Sequence, residues 1–128
     1  MTRRESREAA LCLIYEQSFS PEISTDEIIE KAKEIREEKI SEFATQLFNG
    51  VCEKKQNIDL RITSSAENWS IDRISRVSLS IIRLAAYEIL YAGTEKQIAV
   101  NEALELARKY DDEKAVSFIN GVLAGIIN

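Results

Sequence analysis

Several residue types that common active sites need are missing from this chain of 128 residues or are rare in it. Histidine does not occur, which excludes histidine-based catalytic triads and histidine-ligated metal sites. The two cysteines, Cys12 and Cys52, are too few for a structural zinc site, and their apolar neighbours favour reduced core thiols over a disulfide. Neither common type of glycine-rich phosphate loop is present, and the acidic residues follow helix faces without pairing in a cleft. The sequence therefore favours a binding module over an enzyme.

Turn-forming residues are also scarce. Four glycines and one proline argue against a β-rich fold and favour helices with short connections. The length suits a single domain with a real core, and 45% hydrophobic and 30% charged residues are ordinary for a globular protein. Because the net charge is −5, any nucleic-acid site must be a local patch or be completed by a partner. Residues 22–42, with eight acids against four bases, would repel phosphate.

Long apolar runs are absent as well. The N-terminus lacks the apolar segment of a secretory signal, and no window is long or apolar enough to span a bilayer. We therefore expect a cytoplasmic protein with no membrane partner.

What the chain does contain is one stretch, residues 77–92, that is apolar on nearly every side when wound as a helix. One side would carry Leu79, Ile82, Ala86 and Ile89, and the other Val77, Ile81, Leu84 and Ala92. Such a helix is normally buried, so we predict the central helix of a bundle. Its Arg83 and Glu88 could belong to a binding surface. We favour a structural role, in which each side chain pairs with a polar group where the helix meets its neighbours. Because side chains five residues apart do not face each other, each of the two needs its own partner.

Amphipathic patterns predict further helices around this one. The first covers residues 3 to about 18, with Ala10, Leu11, Ile14 and Tyr15 buried and Leu13 near the edge. The second follows a capping box at Ser24–Glu27 and would bury Ile28, Ile29, Ala32 and Ile35. From residue 40 to about 68 we predict two helices or one bent helix, with close packing or a bend at Gly50 and a core closed by Trp69.

Capping residues predict where the later helices begin. Ser70 would cap the segment before the central helix, Thr94–Gln97 has the form of a capping box, and Asp111–Asp112 would cap the last helix. That helix would run from about residue 113 to 127 and bury Val116, Ile119, Val122, Leu123 and Ile126. Its Gly121 and Gly125 would allow close approach of another helix in the core.

Three arginines, Arg3, Arg4 and Arg7, share one face at the start of the first helix. They could form a solvated first turn that pairs with Glu5 and Glu8. A positive first turn is nonetheless unfavourable beside the helix dipole, which hints at a polyanionic partner.

Three motifs together resemble one known family. They are RRESREAALCLIYE at 3–16, IIRLAAYEIL at 81–90, and IAVNEALELARKY at 98–110 followed by FINGVL at 118–123. Their order and spacing, over a chain of the right length, are similar to the NusB family of bacterial transcription antitermination and ribosomal-RNA biogenesis factors. The resemblance runs from end to end.

This resemblance implies an all-α fold, with two packed helical bundles around the buried central helix in a single NusB domain. The bundles would be roughly residues 1–67 and 68–128. It also implies a transcription antitermination factor that binds single-stranded boxA RNA together with NusE, a small-subunit ribosomal protein, in the antitermination complex of RNA polymerase. It implies no catalysis, cofactor or metal, and leaves a homodimer possible.

The resemblance also implies which residues touch RNA. Arg3, Arg4 and Arg7 match the basic opening of the family and would neutralise phosphates. Tyr110 and Phe118 match aromatic positions that could stack on bases, with burial as the alternative.

Lys114 lies between these aromatics and could add a phosphate contact. Asn101 and Asn120 match motif positions to which we assign internal hydrogen bonds. The chain departs from the family pattern in lacking a proline at 93–96, and in carrying Asp111 and Ala115 where glycine and serine are common.

A second hypothesis is a helical protein-interaction module that has the same fold but does not bind RNA. NusB-like domains also occur fused to ribosomal-RNA methyltransferases, and we expect that enzyme class to be excluded because no methyltransferase half follows.

Overall fold

The computed structural model describes residues 1–36, 39–66 and 70–128. Within them lie six α-helices and no strand, which confirms the all-α class. The helices are α1 (Arg3–Phe19), α2 (Thr25–Arg36), α3 (Glu42–Ser65), α4 (Arg76–Leu90), α5 (Lys96–Tyr110) and α6 (Glu113–Ile127), with a short 3-10 helix at Ile71–Arg73. The predicted role of Trp69, the predicted boundary between residues 67 and 68, and two of the acids counted above, Glu37 and Glu38, fall outside the described ranges.

Helix α4 is the centre of the fold, as predicted. It packs against α1, α3, α5 and α6, and ten of its fifteen residues are buried. The prediction that the buried helix extends to residue 92 is wrong at its C-terminal end, where Ala92 is exposed. The reason is that α4 ends at Leu90 and the chain then turns at Gly93, whose φ of 72° favours glycine. No helix in the described ranges is long and apolar enough to cross a membrane.

Two helix starts agree with the predicted caps. The side chain of Ser24 accepts a hydrogen bond from the backbone N–H of Glu27 at 3.2 Å, before the acidic α2. The side chain of Asp112 accepts one from Ala115 at 2.8 Å and begins α6. Both caps satisfy helical N–H groups that have no partner inside the helix.

Two other predicted caps make no capping hydrogen bond. Ser70 does occupy the N-cap position of the 3-10 helix before α4, with Asp72 in its first turn, but its side chain makes no capping bond. The cap of α4 itself is Ser75, whose side chain accepts the backbone N–H of Ser78 at 3.2 Å and which the sequence analysis did not single out. Thr94 does not cap α5, because its hydroxyl donates instead to a carboxylate oxygen of Glu88 at 3.0 Å.

The buried faces of α1 and α2 differ from the predicted stripes. Leu13 is completely buried, whereas Tyr15 is 36% exposed. Because α1 packs on both α3 and α4, its buried face is wider than the predicted stripe and includes Leu13 instead of Tyr15. Ile35 is 73% exposed and lines an open surface cavity between α1 and α2 instead of the core. The two cysteines are free and half-buried, so neither disulfide nor full core burial is observed.

The chain between residues 42 and 65 forms one continuous helix. Gly50 packs closely against another helix, as predicted. A Cβ atom added at Gly50 would lie 2.1 Å from Cζ of Tyr87, so only glycine leaves room for that ring. Gly125 likewise lies close to Ser65 on α3, because a Cβ atom added at Gly125 would be 3.0 Å from the Cβ of Ser65. The expectation fails for Gly121, whose Cβ position is open.

We predict opposite effects of alanine at two helical glycines. Gly50→Ala should lower the free energy of unfolding by about 1–3 kcal/mol, since the methyl group displaces the Tyr87 ring. Gly121→Ala has free space and should raise it by roughly 0.5–1 kcal/mol, the gain expected inside a helix. Urea unfolding followed by circular dichroism measures both, and equal stabilities would contradict the packing.

Candidate nucleic-acid interface

The N-terminus of α1 is held by a capping box that the sequence analysis missed. The hydroxyl of Thr2 accepts the N–H of Glu5 at 3.0 Å, and the Glu5 carboxylate accepts the N–H of Thr2 at 2.8 Å. These bonds lower the pKa of Glu5 below its usual value. Glu5 therefore serves the helix end, not the neighbouring arginines, and the Thr-x-x-Glu spacing at residues 2–5 was the available signal.

Arg7 is an internal residue, although its sequence position suggested a surface arginine. It is 8% exposed, and its Nε and Nη2 atoms donate to the carboxylate of Glu88 at 2.9–3.0 Å. Glu88 is 1% exposed and also accepts the Thr94 hydroxyl. The three side chains join α1, α4 and the segment before α5.

Arg83, the other charged residue of the central helix, also has its own partner. Its Nε and Nη2 atoms donate to the two carboxylate oxygens of Asp59 on α3, both at 2.9 Å. The structural interpretation of Arg83 and Glu88, with a separate partner for each, is confirmed.

Arg3 and Arg4 remain on the surface. Arg4 donates Nε and Nη2 to Glu102 of α5 at 3.1 and 3.0 Å, and its side chain is 66% exposed. The guanidinium of Arg3 lies over the Phe43 ring, 3.9 Å from its centroid. The expected pairing with Glu5 and Glu8 is thus wrong: the carboxylate that reaches Arg4 comes from another helix.

Tyr110 stands exposed at the end of α5 and is tied to α1. Its hydroxyl donates a short hydrogen bond to Glu8, which also accepts from Lys109 at 2.6 Å. The bonds from Lys109 and Tyr110 lower the pKa of Glu8, and the bond to Glu8 raises the pKa of Tyr110. Tyr110 is 42% exposed, so burial does not account for this aromatic position.

Lys114 and Phe118 line a shallow cavity of about 320 Å³ between the start of α6 and the start of α4. Arg73 and Ser75 line its opposite side, and we call this cavity the corner groove. Lys114 is exposed and Phe118 is half-buried, which places a cation and an aromatic edge beside one opening. The groove is braced by the Ser78 hydroxyl, which donates to Asp111 at 2.8 Å.

The six predicted contact residues thus occupy different environments. Arg3 and Arg4 lie on the surface of α1, Tyr110 lies beside that helix, and Lys114 and Phe118 share the corner groove. Arg7 is buried. The structure adds Lys109 beside Tyr110 and Arg73 in the wall of the corner groove. The sequence analysis singled out neither of them, although Lys109 lies in the motif at 98–110.

Asn101 and Asn120 are both exposed, so the prediction that they form internal hydrogen bonds is wrong. Each lies on the outer side of its helix, away from the apolar stripe that packs on α4. At Asp111, one of the departures from the family pattern, the carboxylate accepts the Ser78 hydroxyl.

The described part of the chain is thus an all-helical bundle with a buried ion pair inside it and with exposed cations and aromatic rings on its surface. A profile of the NusB family matches residues 4–128. The chain belongs to the NusB family.

Relatives described as transcription antitermination protein NusB match over nearly the whole chain. The proteins of Listeria innocua and Bacillus subtilis are each 42% identical over 127 residues, covering 98% of this chain and 96% and 95% of theirs. That of Clostridium botulinum strain Loch Maree is 37% identical over 142 residues, covering 99% of this chain and all of the relative.

Solved structures agree with the fold. T. maritima NusB superposes with a TM-score of 0.86 at 30% identity, covering 98% of this chain and 90% of that one. A chain from a complex of antitermination factors NusB and NusE with double-stranded RNA gives 0.84 at 27% identity, covering 98% and 97%. The all-helical NusB-like fold expected from the sequence is confirmed.

We predict that Arg7 and Arg4 differ sharply in their effect on stability. Arg7→Ala leaves the Glu88 carboxylate buried without its cation and should cost about 3–5 kcal/mol of unfolding free energy. Arg4→Ala breaks an exposed pair and should cost less than about 1 kcal/mol. Urea unfolding of the two variants checks this, and an Arg7→Ala protein as stable as the parent would contradict a structural role.

Proposed function

We propose that this protein is a transcription antitermination factor that binds single-stranded boxA RNA together with NusE and supports ribosomal-RNA transcription. The observation that carries the proposal is the corner groove, where the cations Arg73 and Lys114 flank the Phe118 ring on a NusB fold. Relatives that share this fold along their whole length are antitermination proteins. One solved complex of this fold contains NusE and double-stranded RNA.

The corner groove suits an unpaired strand. Lys114 and Arg73 can each neutralise a phosphate, and the half-buried Phe118 makes part of the cavity wall aromatic, which suits contact with a base. A single strand exposes its bases for stacking, whereas an A-form duplex offers mainly backbone and 2′-hydroxyl groups. We therefore infer that the groove binds single-stranded RNA in preference to duplex RNA.

Arg3 and Arg4 would extend this contact along α1, with Tyr110 at its edge, where the tyrosine also borders the groove proposed for NusE. Arg4 is well exposed and can exchange the Glu102 carboxylate for a phosphate, because an exposed ion pair contributes little. Arg7 would act as a positioning residue, since its guanidinium is occupied by Glu88. In this proposal the protein binds and positions RNA and has no catalytic step.

We expect the cations of the corner groove to be measurable in RNA binding. Lys114→Ala and Arg73→Ala should each weaken binding of a labelled boxA-like single strand and reduce the salt slope by roughly 0.7, the value for one phosphate contact on a single strand. Fluorescence anisotropy at two or more salt concentrations, with and without NusE, measures both effects.

Lys31→Ala on the acidic α2 is the matched control and should leave the affinity unchanged. Scrambled and duplex RNA of equal length test selectivity. Equal binding of boxA and scrambled RNA with NusE present would contradict the antitermination function and favour a protein-interaction module of the same fold.

A second surface fits the protein partner. A groove of about 390 Å³ is lined mainly by apolar and aromatic residues, with one acid and one base in its wall: Leu11, Cys12, Tyr15, Val77 and Tyr110, together with Glu16 and Arg36. Its two tyrosines are exposed. Exposed aromatics around an apolar groove are typical of protein interfaces. We propose this tyrosine groove as the surface for NusE, because the corner groove is more strongly flanked by cations and suits RNA.

We predict that Tyr15→Ser weakens NusE binding at least about tenfold, the scale of losing one aromatic anchor. Tyr91→Ser, a similarly exposed tyrosine at the other end of α4, is the control and should have no effect. Isothermal titration calorimetry with purified NusE measures both. Unchanged binding by the Tyr15 variant would place NusE elsewhere without affecting the RNA proposal.

A further inference from the structure

A separate cavity of about 250 Å³ lies between the end of α1, the middle of α3 and the start of α4. Three basic side chains line it, Lys55, Arg76 and Arg83. Among the described residues of the wall, the only acidic one is Asp72, which is exposed. None of these cations belongs to the RNA or NusE surfaces proposed above.

Two of the three cations are fixed in place by the fold. Arg83 is 7% exposed and uses Nε and Nη2 on Asp59, which leaves Nη1 outside that pair. Arg76 donates Nη1 to the backbone carbonyl of Ser18 at 2.8 Å, and its guanidinium lies 4.4 Å from the Phe19 ring centroid. Both guanidiniums are therefore preorganised, which lowers the entropic cost of binding an anion.

Lys55 is the third cation, and it has no direct partner in the part of the chain that the structure describes. Its side chain is half-buried. Burial and then the positive charge of Arg83 lower its pKa, while the Asp59 carboxylate acts in the opposite direction. A half-buried ammonium without a directly bonded anion is unfavourable, and an anion in the cavity would remove that penalty.

We propose that this cavity binds a phosphate group between Lys55, Arg76 and Arg83. Arginine presents several N–H donors that match phosphate oxygens, and lysine adds a compact charge. The Asp59 carboxylate is already bonded by Arg83 and does not occupy the cavity wall. A volume of 250 Å³ holds a phosphate group together with a few waters, each of which takes about 30 Å³.

The phosphate could be a free anion or part of an RNA strand. Ile74 lines both this cavity and the corner groove, so a strand leaving the groove would pass close to the cavity mouth. The inference of a phosphate site does not depend on the proposed function, because inorganic phosphate alone is the first probe.

The first experiment is a titration of the isotope-labelled protein with inorganic phosphate, followed by amide NMR shifts, with chloride matched for ionic strength. Saturable shifts confined to the backbone around Lys55, Arg76 and Leu79 are expected. Lys55→Met should weaken this binding about tenfold, the scale of one hydrogen bond to a charged group. Lys55→Arg, which keeps the charge, should retain most of it.

Lys54→Met is the matched control, because Lys54 precedes Lys55 but lies 5.4 Å from the Tyr91 ring centroid, away from the cavity. It should bind phosphate like the parent. Both methionine variants keep an unbranched side chain at a helical position, and their unfolding curves report whether the fold is intact.

The second experiment measures boxA-like RNA binding by the same variants. A loss for Lys55→Met but not Lys54→Met identifies the phosphate as one of the RNA backbone, and unchanged RNA binding with lost phosphate binding identifies a free anion. If phosphate causes no localised shifts and the Lys55 and Lys54 variants bind RNA equally well, the site does not exist. If Lys114→Ala weakens RNA binding in that case while Lys55→Met does not, the proposed function is supported and the phosphate site is rejected.

Discussion

The buried pair between Arg7 and Glu88 is the interaction on which the arrangement of the helices depends. It joins α1 to the last turn of α4, and the Thr94 hydroxyl brings the segment before α5 to the same carboxylate. Two charges in a dry interior are costly to desolvate, so such a pair specifies geometry more than it adds net stability. Only one register of α1 on α4 satisfies both ions, and this register also places Arg4 beside Glu102 of α5.

That constraint explains how an acidic protein can carry a surface for a polyanion. Glu88, Glu102 and Glu8 are each engaged by cations of the fold, so their charges are locally compensated. Arg73 and Lys114 remain exposed around the corner groove, whereas residues 22–42 carry an excess of acid along α2 and the segments beside it. A negative total charge is thus compatible with a positive patch, although it leaves little long-range attraction for RNA.

Local patterns predicted much of the fold but little of the partnering between distant residues. The helices, the buried α4 and the cap at Asp112 depend on neighbours a few residues away, and they agree with the structure. Arg7 and Thr94 were misassigned because their common partner, Glu88, lies 81 and 6 residues away and is reached only after packing. The role of Arg73 in the corner groove could not be predicted either, because it depends on how α6 meets α4.

The two proposed surfaces are separated by a single helical turn. Val77 lines the tyrosine groove, while Ser75 and Ser78 line the corner groove on the other side of the start of α4. Ser78 also holds Asp111, the residue that follows Tyr110. The same helical turn thus borders both proposed surfaces, and the Ser78 bond ties it to the end of α5. The relative position of the two surfaces is therefore fixed by α4 and by its contact with α5.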